Sequence, residues 1–218
     1  MFLFKNNQQS LQVNTLNTPV VYLTFDDGPN EYTDEILNIL DVYDIKASFF
    51  VTGAKVDYYS RIKKAYDLGH TIGLHCFSHD YKTIYSSKNS YLEDLEKIDK
   101  IVSQQTGMKS HFIRFPGGSS NLVSKIDMQI LIDEITKKGY KYFDWNQESG
   151  DAKSWYTLTS VMNSSLEGVD GNRDIMLLCH EKAIMVETLP TIIEYYLELG
   201  YIFLPITENT SGFHHKIN

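Results

Sequence analysis

Two aspartates stand side by side at Asp26-Asp27, at the end of a β-branched and aromatic run and directly before Gly28-Pro29. Neighbouring carboxylates repel each other, so the pair is unfavourable unless something positive sits beside it. On a regular strand the two side chains would face opposite ways. At the bend into Gly28-Pro29 both can reach one cavity, in different roles. Further along, His75 and His79 are spaced i, i+4, which puts both on one face of a helical turn and lets them chelate one ion. The zinc-protease motif with this spacing needs Glu directly after the first His as general base. Here that position is Cys76, which argues against a metalloprotease. If His75 and His79 hold a metal, a third ligand and a base must come from elsewhere, and Asp26-Asp27 offers a carboxylate for each task.

These residues need elements to bring them together. Val20–Phe25, Ala47–Val51, Thr71–Leu74, Phe112–Phe115, Tyr140–Trp145, Asp174–Cys179 and Tyr201–Leu204 read as strands. Between them, Asp34–Val42, Tyr58–Leu68, a helix opened by a Ser90-Tyr91-Leu92-Glu93 capping box and running to Gly107, Ile126–Lys138, Leu158–Leu166 and Leu189–Leu199 carry helical spacing. That makes about seven β-α alternations, and strands that are continuous apolar runs are covered on both faces. A βα-barrel or a doubly wound sheet fits this α/β pattern equally. Asp26-Asp27, His75-His79, Arg114, Asp144 and His180 all fall at strand ends, the edge where parallel α/β folds place their sites.

Composition narrows the class. The 218 residues suit one domain, and 42% hydrophobic content is ample for a core. A net charge of −8 argues against tracking nucleic-acid phosphates. The basic stretches Arg61-Ile62-Lys63-Lys64 and Lys137-Lys138 are expected as solvated charge at helix ends. Fifteen Tyr and 11 Phe fill a core, and some can line a sugar-stacking groove. The two cysteines, Cys76 and Cys179, are expected to be free and buried. Met1–Asn7 is too short and too quickly polar for a signal peptide or a span, and no later run reaches membrane length. The tail from 205 to 218, with His214-His215, shows no pattern and is expected to be frayed surface.

Thr24-Phe25-Asp26-Asp27-Gly28-Pro29 followed by His75-x-x-Ser78-His79 resembles the polysaccharide deacetylases with a NodB-type domain, carbohydrate esterase family 4. Arg114-Phe115-Pro116-Gly117-Gly118, then Asp144-Trp145-Asn146 with Ser149 and Asp151, then Leu178-Cys179-His180 are similar to that family's later motifs, in the same order. The matching segments span about residues 20–204, and five motifs in order are far more specific than any one of them. Cys76, Asp80, Phe115 and Gly117 depart from the commonest pattern. None removes a proposed ligand, base or acid, but Gly117 leaves a more open groove wall than a ring would.

The resemblance implies a single-domain, distorted, incomplete (β/α) barrel and a divalent metal, usually zinc, with cobalt or another divalent ion as alternatives. By position, Asp27, His75 and His79 resemble the metal ligands and Asp26 the catalytic base. His180 resembles the general acid, with Asp144 as its carboxylate partner. Arg114 pairs with Asp26, keeping it ionised and oriented. The Gly117 N–H stabilises the tetrahedral oxygen, and Trp145 and Leu178 shape the pocket. The implied reaction is N-deacetylation of an N-acetylglucosamine-containing polysaccharide, peptidoglycan or chitin-like. The alternatives are O-deacetylation of acetylated xylan and a glycan-binding module without catalysis. Such polymers place the protein outside the cell or at its wall, while the lack of a leader leaves the cytoplasm open.

Overall fold

The computed structural model describes residues 18–217; Met1–Asn7, expected to be neither leader nor span, lies outside the described residues. The elements run β1 (Val20–Asp26), α1 (Thr33–Val42), β2 (Ser48–Thr52), α2 (Ser60–Asp67), β3 (Thr71–Cys76), α3 (Tyr81–Ile84), α4 (Lys88–Thr106), β4 (Phe112–Ile113), α5 (Met128–Lys137), β5 (Lys141–Tyr142), β6 (Gln147–Glu148), α6 (Leu158–Leu166), β7 (Ile175–His180), α7 (Ala183–Glu198) and β8 (Ile202–Phe203). All pairings are parallel, in the order β5-β4-β3-β2-β1-β7-β6, with β8 set against the start of β1. This is the distorted, incomplete (β/α) barrel. Its seven expected strands are joined by the two-residue β6, which the sequence pattern did not mark.

The strands are apolar throughout because they are covered twice, and period-two alternation separates the two cores. Val21, Leu23, Phe25, Phe49, Val51, Leu74, Ile113, Ile175, Leu177 and Cys179 face the helices in one large cluster. Phe50, Phe143, Met176 and Ile206 fill the barrel interior, with Tyr22, Phe112, Trp145 and Phe213 against them. The inward parity continues along each strand to Asp26, His75, Arg114 and His180. The rule that packs the interior therefore delivers the polar groups to its C-terminal mouth.

Four local expectations change. The α4 N-cap is Ser87, whose hydroxyl accepts from the Ser90 N–H, so the helix opens three residues before the expected capping box. Helix α7 begins at Ala183 and runs through Pro190. An interior proline loses one backbone hydrogen bond and is unfavourable by about 3 kcal/mol. Burial of Met185, Leu189, Ile192, Ile193 and Tyr196 against the sheet outweighs it. Arg61 and Lys64 are not simply solvated at a helix end, since both pair with Asp34 of α1.

The largest change is the tail, which is built in and not frayed. Ile206 is 1% exposed, and its N–H donates to Ser48 Oγ at 2.9 Å. The Phe213 carbonyl accepts from the Asp144 N–H at 2.7 Å, and the His214 ring stacks on Tyr142 at 4.0 Å. The edges β5 and β6 are not paired with each other, and these contacts place the tail against the chain that bridges them.

Candidate metal and acid-base site

Register brings the functional groups to one level. Asp26 pairs with His180 across β1 and β7, and Leu178 sits one inward position below His180, opposite Thr24. The Arg114 N–H donates to the Leu74 carbonyl at 3.0 Å, which seats Arg114 beside His75. His75 and His79 do not share a helical turn. His75 ends a strand, and His79 lies in the loop beyond it with φ 52°, in the left-handed region. Asp27 is also left-handed, at φ 70°. Such a backbone is uncommon for residues with side chains and is retained where the surroundings enforce it.

Asp27, His75 and His79 each bring one ligand atom within 4.8 Å of the others. His75 Nε2 lies 3.4 Å and His79 Nε2 3.2 Å from Asp27 Oδ1. His75 Nδ1 lies 2.8 Å from the Arg114 carbonyl, an acceptor, so this nitrogen carries the proton. Burial lowers the His75 pKa and keeps the ring neutral. Its Nε2 lone pair therefore faces Asp27 Oδ1, a buried oxygen whose other imidazole neighbour is His79 Nε2. Two acceptors aimed at each other are what a cation reconciles, and the backbone carbonyl behind His75 is the usual support for a metal-ligating imidazole. The donors thus fit a divalent cation. Burial tends to raise the Asp27 pKa, but the His79 bond and neighbouring imidazoles outweigh it and hold the carboxyl well below its usual range. The same Asp27 bond raises His79, so metal binding would displace a proton there. Asp27 and His79 side chains are 39% and 33% exposed against 3% for His75, so the site opens on their side to water and substrate.

Asp26 is held away from this cluster. Its Oδ1 accepts from Arg114 Nη1 at 2.9 Å, and its Oδ2 is 3.9 Å from His75 Nε2. Arg114 is fully buried, and each guanidinium nitrogen donates. Nη1 also reaches Thr24 Oγ1 at 2.7 Å, Nε the Phe143 carbonyl at 3.0 Å and Nη2 the Asp144 carbonyl at 3.0 Å. Its plane lies 4.3 Å from the Phe50 ring centre.

His180 faces the same space, with Nε2 3.9 Å from Asp27 Oδ2. Its partner is Asp151, not Asp144. His180 Nδ1 lies 2.7 Å from Asp151 Oδ1, and the His180 N–H donates to Asp151 Oδ2 at 2.7 Å. Burial disfavours the imidazolium, but the Asp151 hydrogen bond and charge more than offset it, so His180 titrates above an ordinary histidine. Asp144 is fully buried elsewhere, its carboxylate accepting from the Ser119 N–H and hydroxyl and from the His215 N–H. It ties the Arg114 loop to the C-terminal tail. The β6–β7 pairing explains the exchange, because it carries the chain after Glu148 alongside His180.

The Gly117 N–H makes no hydrogen bond among the described residues. Trp145 is half-buried, with its ring near Gly118 and 4.6 Å from the His215 ring. Asp94, from α4, accepts from the Phe77 and Ser78 N–H groups at 2.6 and 3.0 Å and so shapes the loop that presents His79. Nothing in its helical context marks Asp94 in the sequence. Glu181, 3% exposed, lies under the Asp26-Asp27 turn, and a Cβ on Gly28 would fall 1.6 Å from its Oε1, so a larger residue there would have to displace the Glu181 carboxyl.

Burial raises the Glu181 pKa to about 7. An acid whose folded-state pKa is raised stabilises the fold most below its unfolded pKa, and that contribution is lost as pH rises through about 7. Urea denaturation with saturating zinc should find Glu181→Gln gaining about 3 kcal/mol relative to the parent between pH 5 and pH 8. An unchanged difference across that range would remove Glu181 as the titrating group.

The parallel βα-barrel holds one carboxylate and two imidazoles at its C-terminal mouth, beside a braced carboxylate and a braced imidazole. The chain belongs to the polysaccharide deacetylase family, whose model matches residues 13–147. It is 30% identical to YheN of Bacillus subtilis over 91% of this chain and 73% of that protein. It is 28% identical to the peptidoglycan-N-acetylglucosamine deacetylase of Bacillus cereus, over 84% of this chain and 68% of that one. The crystal structure of the catalytic domain of peptidoglycan N-acetylglucosamine deacetylase from Eubacterium rectale superposes with a TM-score of 0.89 at 40% identity, covering 94% of this chain and 96% of that one.

Proposed function

We propose that the protein removes N-acetyl groups from N-acetylglucosamine units of a polysaccharide, peptidoglycan or a chitin-like polymer, with zinc held by Asp27, His75 and His79. The observation that carries this reading is the buried Asp27 Oδ1 facing two imidazole nitrogens, with a separately braced carboxylate and imidazole beside it. A bound divalent cation supplies Lewis acidity, lowering the pKa of a water and drawing charge from the acetyl carbonyl. Asp26, oriented by Arg114, takes the proton of the attacking water. The Gly117 N–H donates to the carbonyl oxygen as it becomes negative. His180 gives its proton to the sugar nitrogen as the C–N bond breaks, releasing acetate and the amine. Trp145 and Leu178 shape the pocket around sugar and methyl group. Such a substrate places the protein outside the cell membrane or at the wall, which cell fractionation would check. Among the described residues no helix is long and apolar enough to cross a membrane.

The direct test is acetate release from chitooligosaccharides, peptidoglycan and acetylxylan, with zinc and with cobalt. Turnover of acetylxylan alone would overturn the amide reading. An ester leaving group needs less help from an acid, so His180→Ala should abolish amide hydrolysis and only weaken ester hydrolysis. Equal loss on both would remove His180 as the acid.

The braced acid also sets a pH dependence. His180 works protonated and its pKa is raised, so kcat on the amide should fall as pH climbs through that pKa. Asp151→Asn removes the charge that raises it and leaves the burial that lowers it. The alkaline limb of the kcat profile should then move to lower pH. An unmoved limb would assign it to another group.

A further inference from the structure

Gly117 is where the mouth of the site carries no side chain, and its φ of 78° is one that other residues rarely adopt. The space its Cβ would border is not empty. The Tyr81 hydroxyl lies 3.4 Å from that Cβ position, and the ring carbon bearing it 3.8 Å. Tyr81 comes from the opposite wall, as the first residue of α3 and two residues after His79. Its ring centre is 5.2 Å from the His79 ring and 6.1 Å from that of Tyr85. Tyr85 is itself fixed, its hydroxyl donating to the Pro116 carbonyl at 2.8 Å. Tyr81 is therefore a positioned ring that spans the gap between the His79 loop and the Gly117 loop.

Its hydroxyl is not accounted for by the fold. The hydroxyls of Tyr59, Tyr85 and Tyr196 each donate to a backbone carbonyl. That of Tyr81, although the residue is half-buried, makes no hydrogen bond among the described residues. Asn121, which also borders the Gly117 Cβ position, is committed to the Gly118 carbonyl through its amide nitrogen and to the Ser124 N–H through its oxygen. A phenol held at a site mouth with its polar end unused is available to a ligand. The hydroxyl borders Gly117 on its Cβ side.

We propose that Tyr81 is a substrate-contacting, specificity-determining residue, whose hydroxyl hydrogen-bonds a hydroxyl group of the sugar that carries the acetyl group. It supplies from α3 the wall that Gly117 leaves bare. This rests on the reading of the protein as a hydrolase of acetylated glycans. One neutral hydrogen bond to a ligand corresponds to about a fivefold change in affinity.

The test is calorimetric binding of chitotetraose to the zinc-loaded Asp26→Asn protein, with and without Tyr81→Phe, together with kcat and KM of Tyr81→Phe alone. The phenylalanine keeps the ring contacts with His79 and Tyr85 and removes only the hydroxyl. Binding should weaken about fivefold, KM should rise in step, and the zinc stoichiometry should be retained. Equal affinity in the two proteins would overturn the proposal and leave the glycan reading standing. Loss of zinc from Tyr81→Phe would also overturn it, by showing that Tyr81 acts through His79. No binding of chitotetraose by either protein while zinc is held would sink the glycan reading, and the proposal with it.

Discussion

Asp26→Asn should keep one zinc per chain and lose about a thousandfold or more in kcat, whereas Asp27→Ala should fail to retain zinc. The two carboxylates are adjacent in sequence, and their surroundings differ. Asp27 turns through a left-handed backbone to put Oδ1 against the two imidazole nitrogens. Asp26 stays on the regular strand, where Arg114 takes one oxygen at 2.9 Å and the other is left 3.9 Å from His75 Nε2. Asparagine at 26 still fills the space and can accept from Arg114, but it cannot take a proton from water. Alanine at 27 removes one of three ligands and leaves His75 and His79 converging on nothing. Zinc content by atomic absorption and acetate release on the same samples separate the two effects. Parallel loss of zinc in both variants would show that Asp26 belongs to the metal site and is not its base.

That proposed division rests on residue types that the sequence shows and on a local geometry that it does not. The spacing of His75 and His79 drew attention to a pair that does converge with Asp27, but not in the helical turn that the spacing suggests. A strand end followed by a left-handed loop residue converges as well as a helical turn, and Asp94, far along the chain, holds that loop. The strands were readable because each is a continuous apolar run, while their ends were not. Only Lys141–Tyr142 of the expected Tyr140–Trp145 strand pairs, because the Asp144 N–H turns away to the Phe213 carbonyl. The expected helix Leu189–Leu199 starts beside Pro190, a residue suited to a first turn, and the burial that carries α7 through it is a tertiary effect. Asp144 and Asp151 were both in view as motif residues. Choosing between them needed the β6–β7 pairing, a two-residue contact with no periodicity to announce it. The tail lacks pattern because it is not a repeating element. It is held by single anchors, Ile206, Phe213 and His215, each placed by a different part of the barrel.

Arg114→Met should destabilise the protein by about 3–5 kcal/mol and abolish turnover, and the stability loss should be partly reversed by adding Asp26→Leu. Arg114 is fully buried, and its guanidinium satisfies Asp26, Thr24 and the carbonyls of Phe143 and Asp144 together. Methionine can replace the packing against Phe50, but it leaves the Asp26 carboxylate in the barrel interior without its cation. Removing one partner of a buried ion pair is far more harmful than replacing both by apolar groups, because the remaining charge has lost its water and gained nothing. The double variant removes that charge, so its urea midpoint should lie above that of Arg114→Met while its activity stays absent. If the second substitution instead adds to the first, the damage comes from the two unpaired carbonyls and the lost hydrogen bond to Thr24. Arg114 would then be a brace for the 143–145 segment before it is a partner for the base.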